Sequence, residues 1–457
     1  MSFPRFAFAA ALVAGLAGSS SVHAYYGRNS IEAWLTFEAQ ADVALTGNPT
    51  AASLNRGGRA NRQAVELIDT QVMHLMGSFQ AVSFREGFGY PGVLGESHEI
   101  EFTDVAPGLG RGRKLLTYRF KGKVVFHKDA FRGRAERTVP IKLPLQSDRI
   151  YAHGIVDGVN RCTDEHYDSE GDFWYFWDPE MEECPLKGGS EHVFLTQGRL
   201  EKLPNTQTTY PEYDLLYGDN GNADTLDVAV LIGYIDDLDD LRYPNRRDDG
   251  FRALRFVEQD LRGRDFERTE SRDAFREYAN GREVPGINFY RVFEKRVRRG
   301  GREQLIRVRV LLADTAVGSR DLTFHRYLVP ALEESDVVIY DGHSGLGGNL
   351  DLGSIPTVRF DPAKYQIFFF NGCSSYPYFN GTFLEAKGGS RMLDVVTSGL
   401  PTFTHTAGPN MVAFLDNFID GETKSYQRIL SELERSNGEE ESYLTGVNGD
   451  EDNRWTP

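Results

Sequence analysis

Between Asp336 and Gly408, three apolar blocks each run into a cluster of small or polar residues. Asp336-Val-Val-Ile-Tyr340 leads into Asp341-Gly-His-Ser-Gly345, and Tyr365-Gln-Ile-Phe-Phe-Phe370 into Asn371-Gly-Cys-Ser-Ser375. Leu393-Asp-Val-Val396 leads into the stretch from Thr397 to His405. Short apolar runs bounded by Gly and polar residues are the pattern of strands buried on both faces of a parallel sheet. In open sheets of that kind, reactive groups gather just beyond the carboxyl ends of the strands. One block therefore delivers His343 and the next Cys373, 30 residues later.

A thiol and an imidazole at neighbouring strand ends are the parts of a cysteine nucleophile and its proton-transfer partner. An apolar block ending in Gly-His, followed by one ending in Gly-Cys, resembles the caspase-like superfamily of cysteine peptidases. Caspases, legumains, clostripain and gingipains belong to it. The short interval from His343 to Cys373 is most similar to the gingipain branch. The resemblance covers the C-terminal half and implies a cysteine endopeptidase with a peptide or protein substrate and no cofactor. It implies Cys373 as nucleophile and His343 chiefly as the acid that protonates the leaving amine. Backbone N–H groups of Cys373 and of the residue after the histidine would hold the oxyanion. The family has Gly after the histidine, whereas this chain has Ser344, with the glycine one later at Gly345. Asp341 is the candidate to orient the imidazole, and also a candidate to cap its own turn. Asn371, two before the nucleophile, occupies the place of a specificity-pocket residue. Clostripain and metacaspases carry an acid there, so the neutral Asn371 does not point to basic substrates.

Two other readings compete. Gly342-His-Ser-Gly-Leu346 begins like the nucleophile elbow G-x-S-x-G, with Ser344 as a serine nucleophile and His405 downstream, but Leu346 fails the last position. The chain is alternatively a non-catalytic secreted scaffold or binding protein, since fold does not fix function.

Export is read from the first 24 residues: Arg5, an apolar run from Phe6 to Ala17, and the small-residue site Val22-His23-Ala24. This is the pattern of a secretory signal peptide, which places the mature chain outside the cytoplasm, secreted or periplasmic. No stretch is long and apolar enough to span a bilayer. A net charge of −16 excludes general nucleic-acid binding. Export is oxidising, and of the three cysteines Cys162 and Cys184 flank one segment, so they are expected to pair and leave Cys373 free. The segment between them holds the aromatic run Phe173–Trp177, expected to pack against a sheet, and the carboxylates Asp168, Glu170 and Asp172, candidates for calcium without EF-hand spacing.

The expected fold class is α/β: a mostly parallel sheet flanked by helices over 217–457, preceded by a β-rich α+β region over 25–216. In the first region a helix is expected over 60–79 and strands at 99–102, 115–120, 124–126 and 139–143. In the second, the expected parallel strands are 227–235, 336–341, 365–371 and 401–406, with 287–293 and 304–313 joined by a basic hairpin tip at 298–301. Helical stripes fall at Phe251–Leu261, Phe324–Leu332, Phe383–Val396 and Met411–Arg435. The acidic tail from Glu439 is expected to be mobile or surface-bound.

Overall fold

The computed structural model describes residues 25–203, 208–219, 224–236, 244–277, 283–299, 301–315, 323–345, 349–438 and 443–457. The expected signal peptide, Leu346 and the start of the acidic tail lie outside these. The chain divides into two compact units, one spanning Ile31–Pro204 and the other Val22–Ser30 with Asn205–Pro457. Both are mixed assemblies of sheets and helices.

Among the described residues, the first unit is built on a five-stranded sheet ordered Gly92–Pro107, Arg113–His127, Ser30–Ala44, Val193–Lys202, Glu136–Pro144. Along Ser30–Ala44, Ala33, Leu35, Phe37, Ala39, Ala41 and Val43 are all buried, the period of two that a half-buried strand demands. The Arg59–Gln80 helix buries Ala64, Ile68, Val72, Leu75 and Phe79 along one stripe. Cys162 and Cys184 form a disulfide, and Phe173 and Trp177 pack around it with Ile150, Leu186 and Val193.

The second unit positions the candidate site. Its sheet runs Tyr25–Tyr26, Gly446–Asn448, Leu393–Thr397, Gln366–Asn371, Val337–Asp341, Thr225–Gly233, Arg302–Ala313, Asn288–Arg299, Glu267–Glu277, Glu283–Pro285. The strands from Leu393–Thr397 to Arg302–Ala313 pair in parallel, and those outside them pair antiparallel. The apolar runs are continuous because the inner strands are covered on both faces. Phe369 packs on Phe414, ring centroids 4.6 Å apart, while Phe368 and Phe370 pack on Phe383 from the other side.

Several elements differ from expectation. The strand expected at 401–406 is a 3-10 turn at Thr404–Thr406, and the sheet strand is Leu393–Thr397, the third apolar block, which the expected helical stripe 383–396 also covered. Pro401 has no N–H for a ladder, and Gly446–Asn448 takes the sheet position beside Leu393–Thr397. The preceding helix is Ser375–Lys387. The expected long helix is two, Ala407–Ile419 and Tyr426–Ser436, parted where Gly421 adopts φ 72°. The end of the acidic tail is no loose appendage: Val447 is buried and paired in the sheet. Tyr213 and Leu216, expected in the first region, join the second unit's core.

Candidate active site

Asp341 and Asn371 end adjacent parallel strands and are directly opposed. His343 and Cys373 each lie two residues further on, so both leave the sheet at one edge. The two strand-end loops touch, because the Ser344 hydroxyl donates to the Cys373 carbonyl. That approach needs glycine at 372: a Cβ there would stand 2.8 Å from Ser344 Oγ. Gly342 is equally confined, since its Cβ would meet Tyr340 Oη at 2.8 Å and Gly233 Cα at 3.2 Å.

The cysteine sits on a sharp strand-to-helix turn. Ser374, the next residue, is left-handed at φ 50°, ψ 33° and caps the Ser375–Lys387 helix. That conformation costs a non-glycine residue about 1–2 kcal/mol. Hydrogen bonds hold it: Ser374 N–H donates to the Leu400 carbonyl at 3.2 Å and Tyr376 N–H to that of Ser398 at 3.0 Å. The Ser375 hydroxyl donates to Phe370 O at 2.7 Å and accepts from Ser398 N–H at 2.8 Å. The 398–402 segment thus runs beside the turn and carries Thr402 to the thiol, with Cys373 Sγ 3.8 Å from its carbonyl oxygen and 3.9 Å from its hydroxyl. Cys373 is free and half-buried.

His343 is exposed, and its Nε2 lies 2.8 Å from the Ile235 carbonyl oxygen. A carbonyl only accepts, so Nε2 carries the proton and Nδ1 is the basic nitrogen of the neutral ring. Ile235 follows the Thr225–Gly233 strand, so a third neighbouring strand end sets the imidazole's tautomer and orientation. Tyr340 Oη also donates to the His343 carbonyl at 2.5 Å.

Asp341, expected to orient the imidazole, is directed elsewhere. It is 4% exposed and accepts from Asn371 Nδ2 at 2.5 Å. Burial pushes its carboxyl up to about 7, and the Asn371 donation opposes this. Asn371, expected in a substrate pocket, is 2% exposed. Its amide is spent on Asp341 and, at 3.4 Å, on Asn410, so it braces the strand ends from below. Ser344, the rival nucleophile, gives its hydroxyl to a carbonyl rather than an imidazole. No described helix follows its strand directly, as a nucleophile elbow requires. His405 lies in the Thr404–Thr406 turn.

Among the described residues, no three or more His, Cys, Asp or Glu side chains are placed to hold a metal ion. Asp172 Oδ1 accepts from the Ser169 N–H and hydroxyl. Sequence reasoning missed Ile235, Thr402 and Tyr443. The first acts through its carbonyl, which no side-chain pattern reports. The other two belong to segments read as a strand and a tail.

No protein-family model matches the chain, and no curated protein matches it.

Proposed function

We propose that the protein is a secreted cysteine endopeptidase acting through a Cys373–His343 pair, with a resemblance to the caspase-like superfamily that rests on its two strand-end motifs. The observation that carries this is the register of two adjacent parallel strands, which brings a free thiol and an imidazole of defined tautomer out at one edge.

Cys373 Sγ attacks the carbonyl carbon of the scissile peptide, and its proton passes to His343 Nδ1. The Ile235 carbonyl then faces an imidazolium and stabilises it. The tetrahedral oxyanion needs N–H donors. The backbone N–H groups of Cys373, Ser344 and Gly345 have no hydrogen-bond partner among the described residues and are the available ones. Collapse breaks the C–N bond, and the imidazolium proton goes to the departing amine. Water, giving up its proton to the neutral imidazole, attacks the thioester; collapse releases the acid and restores the thiol.

The test compares wild type, Cys373→Ala and His343→Ala on an unfolded protein substrate. Cys373→Ala should abolish cleavage, and His343→Ala should reduce it about 10²–10⁴-fold, the usual contribution of a general acid–base group. Unchanged cleavage by Cys373→Ala would remove the cysteine reading.

A further inference from the structure

We propose that Phe403, flanked by His405, is the ledge on which a substrate side chain rests beside the thiol, and that the protein selects large apolar or aromatic residues on the amino side of the cleaved bond. This rests on the cysteine-peptidase reading above.

Phe403 is 52% exposed, a large apolar ring left in water. It is held there. Its backbone N–H donates to Tyr443 Oη at 3.2 Å. The Thr406 hydroxyl meets the same Oη at 3.0 Å and donates to the Phe403 carbonyl at 2.8 Å. Tyr443 itself is buried, and its ring centroid lies 6.0 Å from that of Phe403. The His405 ring is also near, 5.7 Å between centroids. A ring fixed in solvent by its backbone is organised for contact at little further entropic cost.

Its place identifies the partner. Phe403 follows directly on Thr402, the residue in contact with Cys373 Sγ. A peptide whose carbonyl carbon reaches Sγ must set down the side chain of that residue within a few ångströms, and Phe403 is the next residue along the chain from the thiol's contact. Among the described residues, three carboxylates of neighbouring segments are engaged: Asp341 is buried on Asn371, Asp249 accepts from Thr404 and Arg252, and Asp236 accepts from Asn245. An apolar side chain gains from covering a phenyl ring, whereas a lysine or aspartate loses hydration without a compensating partner.

The experiment uses the full secreted chain and three peptidyl acyloxymethyl ketones differing only in the residue next to the reactive group: Phe, Lys or Asp. Iodoacetamide serves as a side-chain-free control, and labelling of Cys373 is read by peptide mapping. The Phe probe should label Cys373 at least about tenfold faster than the other two, the scale on which an apolar pocket discriminates. Phe403→Asp should abolish that preference when each peptidyl rate is divided by the variant's own iodoacetamide rate, with circular dichroism showing that the fold survives. Faster labelling by the Lys or Asp probe, or an intact Phe preference in Phe403→Asp, overturns the ledge alone. Failure of all three peptidyl probes, with iodoacetamide reacting no faster than with an unfolded chain, overturns the peptidase reading and the ledge together.

Discussion

Ser344 donates its hydroxyl to the carbonyl of the cysteine that the same serine would have to replace as nucleophile. Its position in Gly342-His-Ser-Gly345 invites a catalytic reading, but the contact makes it a positioning residue that ties the histidine loop to the cysteine loop. Ser344→Ala should cost about 1 kcal/mol of stability, the net worth of one hydrogen bond. It should lower kcat/KM about tenfold through kcat, since a displaced nucleophile lowers the rate more than substrate binding. Ser344→Thr, which keeps the hydroxyl, should recover most of both. Thermal melts and steady-state kinetics on the two variants check this, and an Ala variant as fast as wild type would remove the tie. His343 and Cys373, the proposed catalytic pair, stood out in the sequence because each follows an apolar run with a glycine before it. Ile235 was not, because a backbone carbonyl leaves no mark on residue identity.

The C-terminal segment is an element whose attachment depends on a buried acid. Asp394, on the Leu393–Thr397 strand, accepts at Oδ2 from Tyr365 Oη and Tyr426 Oη, each at 2.5 Å, and from Asn453 Nδ2 at 2.7 Å. Burial nevertheless pushes its carboxyl from 3.8 up to about 7. The folded chain therefore holds a proton that the unfolded chain releases near 3.8. Stability from this group is complete below that value and falls as pH rises to about 7. Asp341, raised to about 7 by burial, has the same sign. Asp394→Asn should flatten the decline in melting temperature between pH 4 and pH 7 by several degrees, on the scale expected for such linkage. An equally steep decline in the variant would show that this carboxyl does not titrate there.

At this scale legibility was uneven. The strands ending in Asp341 and Asn371 announced themselves through uninterrupted apolar runs. The third apolar block, Leu393–Val396, was read both as a strand and as the end of a helical stripe, because Asp394 interrupts it, and a further strand was expected at 401–406 because Pro401-Thr-Phe-Thr404 alternates like one. That aspartate is tolerated because two tyrosines and an asparagine meet it. Ser30–Ala44 went unread because its inward positions include Ala33, Ala39 and Ala41, whose small side chains give a weak alternation.

Over the whole molecule, each of the two units has its own core, and the disulfide and the candidate site fall in different ones. Cys162 and Cys184 are 22 residues apart, and opening a loop of that size costs about 3 kcal/mol on the chain-entropy account. Replacing both by serine should lower the melting temperature of the first unit while the alkylation rate of Cys373 stays within about twofold of wild type, the additivity expected of sites with no shared partners. Parallel loss of Cys373 reactivity would show that the second unit depends on the first. Two regions meeting at 216–217 were legible in the sequence. The chain's path was not, because the pairing of Tyr25–Tyr26 with Gly446–Asn448 joins residues at opposite ends of the sequence.

Whether His343 serves Cys373 is read most directly from the second-order rate of iodoacetamide alkylation of Cys373 at pH 7 in wild type, His343→Ala and the urea-unfolded chain. Native wild type should react fastest, about tenfold or more above the unfolded thiol as expected of a thiol beside an imidazole, and His343→Ala should lose that advantage. Equal rates in folded wild type and folded His343→Ala would contradict it.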